Sequence, residues 1–186
     1  MTVIAYWLLP AEKNRAFLAW TIEALSLRFG APVFEPHLTL LVVPENSPDP
    51  GEVLTQLAPV EMSLPILGVG QSKEFTQTLF VRFEPTAALA RLVKRLQTLA
   101  QVRSGETLQP HLSLLYQTLP EVTRDELTRT VVLPFAEVSF AGVCAVRCPS
   151  PTANAAHVRS WQIVAEKRAT KSSAVEAGAR ILPLQK

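Results

Sequence analysis

The 186-residue sequence has only two cysteines, seven glycines and 7% aromatic side chains, and neither sign of charge is in large excess. Each shortage excludes something. Cys144 and Cys148 are four residues apart, which on a strand puts them on one face but about 13 Å from each other, too far to bridge without a sharp bend. No disulfide framework is expected, and a reducing cytoplasm is the simplest compartment. Scarce glycine beside 15 prolines excludes a collagen-like chain and indicates stiff turns between short elements. The seven-residue apolar run Val3 to Leu9 is too short for a signal peptide and no Lys or Arg precedes it. No stretch approaches the roughly 20 apolar residues of a membrane helix, so no membrane partner is expected. With 18 basic and 16 acidic residues the net charge is +2, too small to indicate nucleic-acid binding by itself.

What is present is a core-forming composition, 48% apolar and 18% charged. The periodicity predicts a strand over Thr2 to Leu9 and a helix over Ala11 to Phe29 stopped by Gly30. A strand over Glu35 to Val43, a short helix near Glu52 to Ala58 and a strand over Glu61 to Val69 follow. The order then restarts: strand Thr78 to Phe83, a helix opened by Pro85 with Leu89, Leu92, Val93, Leu96 and Leu99 on its apolar face, and strand His111 to Tyr116. A helix over Val122 to Val131, a strand over Phe135 to Val146 and a last strand around Arg159 to Ala165 complete the pattern. Residues 2–70 and 77–147 thus form an internal repeat. The fold class expected is α+β: two lobes related by a pseudo-twofold axis, each a mainly antiparallel sheet with helices outside and a cleft between them.

The charge divides unevenly. Met1 to Glu166 carries 13 basic and 15 acidic residues, whereas Lys167 to Lys186 carries five basic and one acidic. The segment 167–186 therefore reads as a basic extension outside a catalytic body of residues 1–166, with a short docking helix around Ala174 to Ile181 as one option.

Two of the three histidines lie in nearly the same wording, Pro36-His37-Leu38-Thr39-Leu40-Leu41 and Pro110-His111-Leu112-Ser113-Leu114-Leu115, 74 positions apart. Strand alternation puts His37 with Thr39, and His111 with Ser113, on the face opposite their leucines. Two imidazoles across one cleft suit in-line displacement at phosphorus, one removing a proton from the attacking group and one supplying a proton to the leaving oxygen. Imidazole titrates near neutral pH, and the hydroxyls of Thr39 and Ser113 can donate to the non-bridging phosphate oxygens. The competing readings are two satisfied strand histidines, or a metal site, for which neither motif offers the three or four ligands zinc takes. His157, in an Ala- and Asn-rich stretch without a hydroxyl two residues on, reads as an exposed loop residue.

These paired motifs resemble the two-histidine phosphoesterase superfamily, and within it the plant- and yeast-type cyclic phosphodiesterases. The likeness extends to the opening strand Tyr6-Trp7-Leu8-Leu9-Pro10, the segment Gln77 to Glu84, the wording Pro110 to Tyr116 and a final strand carrying Trp161. The resemblance implies metal-independent hydrolysis of nucleoside 2',3'-cyclic phosphates or ADP-ribose 1'',2''-cyclic phosphate to the monophosphate, with no cofactor. It implies His37 and His111 as the acid-base pair, Thr39 and Ser113 on the phosphate, and Tyr116 beside them. Strand parity lets Tyr116 reach that face only where the strand ends or bulges after Leu115. Phe75 is read either as a stacking surface for a nucleobase or as core, and Trp7 and Trp161 as core or cleft wall. The expected partner is a small cyclic-phosphate substrate of a monomeric chain. The alternatives are an RNA 2',3'-cyclic end, processed or joined through a 2',5' linkage, and a non-catalytic module that holds a nucleotide or RNA.

Overall fold

In the computed structural model, which describes residues 1–103 and 108–168, the opening strand β1 (Thr2–Pro10) is buried from Val3 onward on both of its faces. Ile4, Tyr6 and Leu8 face one core and Val3, Ala5, Trp7 and Leu9 another, which explains the unbroken apolar run. Helix α1 (Glu12–Phe29) packs Leu18, Ile22 and Leu25 inward and ends at Gly30, whose φ of 62° is the left-handed conformation expected of a glycine stop. Strand β2 (Leu38–Pro44), helix α2 (Pro50–Thr55, capped by Asp49) and strand β3 (Met62–Gln71) follow. A 3-10 turn (Phe75–Gln77), strand β4 (Leu79–Phe83), helix α3 (Ala87–Leu99) and strand β5 (His111–Leu115) come next. Helix α4 (Glu121–Thr130), strand β6 (Glu137–Pro149), helix α5 (Ala155–Arg159) and strand β7 (Gln162–Arg168) complete the described chain.

All pairings are antiparallel, and the strand order is β1-β2-β5-β4-β3-β6-β7 with β1 also paired to β6. The α+β fold with two sheet halves is as expected. The composition of each half is not simply one repeat, however. β1 and β2 take β6 from the second repeat, while β4 and β5 take β3 from the first. The third strand of each repeat is thus exchanged, and β3 also pairs with the start of β6 through Met62 to Pro65. The two halves meet there and where β2 pairs with β5 through one residue pair, Leu38 with Leu112.

Several boundaries differ from the sequence expectation. β2 starts at Leu38, so Glu35, Pro36 and His37 precede it. Pro85 lies one residue before the cap of α3, where the Thr86 hydroxyl accepts from the Leu89 N–H at 3.2 Å. The stretch read as a loop around His157 is helix α5, capped by Asn154, and the last strand starts after it. Lys167 and Arg168 belong to β7, and Lys167 Nζ donates to the carbonyls of Thr55 and Leu57 at the end of α2. The remainder of the extension, including the helix expected around Ala174 to Ile181, lies outside the described residues. Cys144 and Cys148 are free and buried on β6, and no described helix is long and apolar enough to cross a membrane.

Two register slips set the geometry of the motifs. Tyr6 pairs with Leu41 and Trp7 with Thr39, leaving Leu40 as the extra residue of a bulge in β2. Leu79 pairs with Leu115 and Phe80 with Ser113, leaving Leu114 as the extra residue in β5. Each bulge follows the hydroxyl residue of its motif, which lets both leucines of each pair be buried. It also resets the alternation, returning Tyr116 to the face of His111 and Ser113.

The chain just after Tyr116 is held by a buried threonine. Thr78 Oγ1 accepts from the Gln117 N–H at 3.0 Å and lies within hydrogen-bonding reach of the Gln117 carbonyl. A Thr78→Val substitution keeps the shape and leaves that N–H without its partner, so a loss of about 1–3 kcal/mol is expected. Urea unfolding with an unchanged m-value is the measurement.

Candidate active site

His37 and His111 occupy matching places, each following a proline and each tied to the backbone two residues upstream. His37 Nδ1 donates to the Glu35 carbonyl at 2.6 Å, and His111 Nδ1 to the Gln109 carbonyl at 2.9 Å. A carbonyl can only accept, so Nδ1 carries the proton in both rings and Nε2 is the nitrogen left free to exchange one. His37, Thr39, His111, Ser113 and Tyr116 line a single cavity of about 210 Å³ together with Thr76 and Gln77. All five residues singled out from the motifs are therefore brought together.

The two rings differ in their surroundings. His37 is buried; Trp7 stacks on it with ring centroids 3.7 Å apart and planes 13° apart, and the edges of Phe34 and Trp161 approach at 6.1 and 5.9 Å. Burial pushes its pKa down to about 4, helped by the nearby His111 and opposed by the hydrogen bond to Glu35. His111 is only half-buried, with the Phe80 ring tilted toward it at 5.4 Å. Tyr116 stacks on Phe34 at 3.8 Å, and its hydroxyl lies 3.5 Å from His37 Nε2. Burial keeps its phenol protonated well above the ordinary range, against a smaller pull from Ser113.

The two hydroxyl residues are also unequal. Ser113 Oγ donates to the Thr76 carbonyl at 2.7 Å, so its proton is engaged, whereas Thr39 makes no side-chain hydrogen bond among the described residues. The backbone under His37 is held by a two-point ion pair from Arg15 to Glu35, at 2.6 and 2.8 Å. That pair went unnoticed in the sequence, as did Phe34, three residues before His37. Trp7 belongs to an apolar cluster and also forms a wall of the site, which neither reading of it alone described.

A larger cavity of about 490 Å³ adjoins on the His37 side, sharing His37, Thr39, Thr76 and Tyr116. Phe75 lines it, half-buried and with its ring 6.1 Å from that of Tyr116. A third cavity, of about 360 Å³, opens on the His111 side. His157 is outside all three, and its Nδ1 accepts from the Ala153 N–H at 3.2 Å. Among the described residues no group of three or more His, Cys, Asp or Glu is placed to hold a metal ion.

The fold is similar to that of solved phosphoesterases. LigT of E. coli without ligand is 17% identical, with 91% of this chain and 98% of that one covered and a TM-score of 0.57. The same enzyme complexed with 3'-AMP gives 15%, 90%, 98% and 0.55. TT0787 of Thermus thermophilus is 18% identical, covering 89% of this chain and 97% of its own with a TM-score of 0.54. No curated relative matches the sequence. The family model described as cyclic phosphodiesterase-like protein matches residues 1–168, and the chain therefore belongs to the cyclic phosphodiesterase-like family.

Proposed function

We propose that the protein is a metal-independent cyclic phosphodiesterase that opens nucleoside 2',3'-cyclic phosphates, or ADP-ribose 1'',2''-cyclic phosphate, to the monophosphate. The observation that carries this reading is the pair of imidazoles on one small cavity, each with Nδ1 tied to a carbonyl, so that Nε2 is the nitrogen that can exchange a proton, with the Tyr116 hydroxyl 3.5 Å from that of His37. A volume of about 210 Å³ suits a phosphoryl group with part of a sugar, and the adjoining cavity with Phe75 has room for a base. LigT, which shares the fold, has been crystallised with 3'-AMP and with ATP, in keeping with a nucleotide ligand.

Unlike burial divides the labour between the histidines. A group held near pKa 4 is neutral at pH 7, which suits His37 to take a proton from the attacking water through Nε2. His111, more open to solvent, supplies a proton to the departing ribose oxygen as the new P–O bond forms and the ester P–O bond breaks. Thr39 and Tyr116 donate to the non-bridging oxygens, where negative charge accumulates. Ser113 joins them by turning its hydroxyl from the Thr76 carbonyl.

His37→Ala and His111→Ala are each expected to lower kcat by about 10²–10⁴ on adenosine 2',3'-cyclic phosphate. EDTA should leave wild-type turnover unchanged. Full activity in either variant would sink the two-histidine mechanism, and inactivation by EDTA would replace it with a metal-dependent one.

The low pKa of His37 also fixes two pH dependences. kcat/KM should hold at its plateau down to pH 5 and fall only as His37 takes up a proton near pH 4. An acid limb near 6.5 would reassign His37 as the proton donor. In the unfolded chain this histidine titrates near 6.5, so between about 6.5 and 4 the unfolded state binds the extra proton. The stability contribution present above pH 6.5 is therefore lost as pH falls to 4, by up to about 3 kcal/mol. Urea titrations at pH 7 and 4.5 should show a smaller drop for His37→Gln than for wild type.

A further inference from the structure

Two adjacent residues on the wall of the larger cavity bring unlike groups to it, a ring from Phe75 and a carboxylate from Glu74. The ring continues an aromatic surface. Centroids lie 6.1 Å apart for Phe75 and Tyr116, 5.9 Å for Tyr116 and Trp161, and 5.0 Å for Trp161 and Trp7, and all four side chains line the cavity. Such a surface accepts any nucleobase, because every base has a π-face. A choice among bases has to come from groups that meet the edge of the ring.

Glu74 is the one carboxylate on that wall, and no Lys or Arg lines it among the described residues. Its side chain is exposed and makes no ion pair among them. The backbone beneath it is held. Ser72 Oγ accepts from the Glu74 N–H at 3.1 Å and donates to the Gln77 carbonyl at 3.0 Å, while the Gln77 N–H donates to the Glu74 carbonyl at 2.9 Å. The Thr76 carbonyl takes the Ser113 hydroxyl at 2.7 Å, which fastens the same turn to β5. The carboxylate is thus presented from a fixed point, and only its own side chain has to be ordered when a ligand arrives.

An ionised carboxylate can only accept hydrogen bonds. Guanine presents N1–H and one N–H of its 2-amino group side by side, a pair that both oxygens of one carboxylate can take at once. Adenine and cytosine each offer one amino group beside a ring nitrogen that is itself an acceptor, so the second oxygen meets a lone pair. The single N–H of the uracil edge lies between two carbonyls. Glu74 therefore ranks the bases with guanine first, adenine and cytosine next and uracil last.

We propose that Glu74 makes the enzyme selective for guanine, with the base lying against Phe75 and its N1–H and 2-amino group donating to the Glu74 carboxylate while the cyclic phosphate lies between the two histidines. The proposal rests on the cyclic-phosphodiesterase reading of the smaller cavity and names the base of its preferred substrate.

The test compares kcat/KM for guanosine, inosine, adenosine, cytidine and uridine 2',3'-cyclic phosphates in wild type and Glu74→Gln. Calorimetric binding of guanosine and uridine 2'-monophosphates runs alongside. In wild type guanosine should exceed uridine by about tenfold, and inosine, which lacks the 2-amino group, should fall between them. A glutamine amide offers one acceptor and one donor, which matches adenine and cytosine instead, so Glu74→Gln should abolish the lead of guanosine and raise adenosine and cytidine relative to it. Equal values for guanosine and uridine in wild type, or a guanosine lead that persists in Glu74→Gln, overturn the proposal; turnover of all five substrates without preference does so while leaving the catalytic reading in place. Absence of turnover with tighter binding of guanosine 2'-monophosphate that depends on Glu74 does the reverse, overturning the catalytic reading and keeping the base site.

Discussion

The pairing of Leu38 with Leu112 is the contact on which the site depends. It is one residue pair long, so β2 and β5 touch at a point and splay apart on either side, opening the cleft between the sheet halves. Both leucines are fully buried and each directly follows its histidine, so the junction that joins the halves also sets the two imidazoles against each other. A single pair of ladder bonds would make a loose joint by itself. The pairing of β3 with β6 ties the halves together through four further residue pairs, Met62 to Pro65, and neither half can move away without breaking them. The proposed proton-transfer role needs this fixity, because acid-base catalysis is sensitive to distances on the scale of one hydrogen bond.

The motif geometry was legible because it is local. His-x-Thr and His-x-Ser need only a period of two to share a face, and that period holds from His37 to Thr39 and from His111 to Ser113. It fails at the next step. Leu40 and Leu114 are bulged, and a bulge is defined by two steps along its own strand against one on the neighbouring strand, which is Tyr6 to Trp7 in one case and Leu79 to Phe80 in the other. Nothing within Pro110 to Tyr116 states that register. The side of the strand on which Tyr116 emerges was therefore a condition in the sequence and became a position only in the fold.

The same distinction explains the other differences. The repeat in the sequence shows that strands recur, but not which copy of a third strand a sheet half will take, since partner choice is decided by long-range packing. The start of β2 was misplaced because His37 looks like strand, while its ring reaches back to the Glu35 carbonyl and Arg15 fastens Glu35 from α1, across 20 residues. Phe34 and Trp7 carried only the general signal of apolar residues near a motif. Their stacking on Tyr116 and His37 arises where β1, β2 and the chain after β5 meet, and no spacing within any one segment encodes it.

A nearly twofold-symmetric pair of motifs is thus put in two unlike environments, and that difference bears on direction. Two histidines with equal pKa values would share one proton without preference, and either could face water. Enclosure of His37 by Trp7, Phe34 and Trp161 removes water from one ring and favours its neutral form. His111, edged by Phe80 and faced by Arg82, keeps its access to solvent. The hydroxyls follow the same division, since among the described residues Thr39 makes no side-chain hydrogen bond where Ser113 is held by Thr76. In the proposed mechanism duplication supplies the two proton carriers, and the residues that differ between the copies decide what each one does.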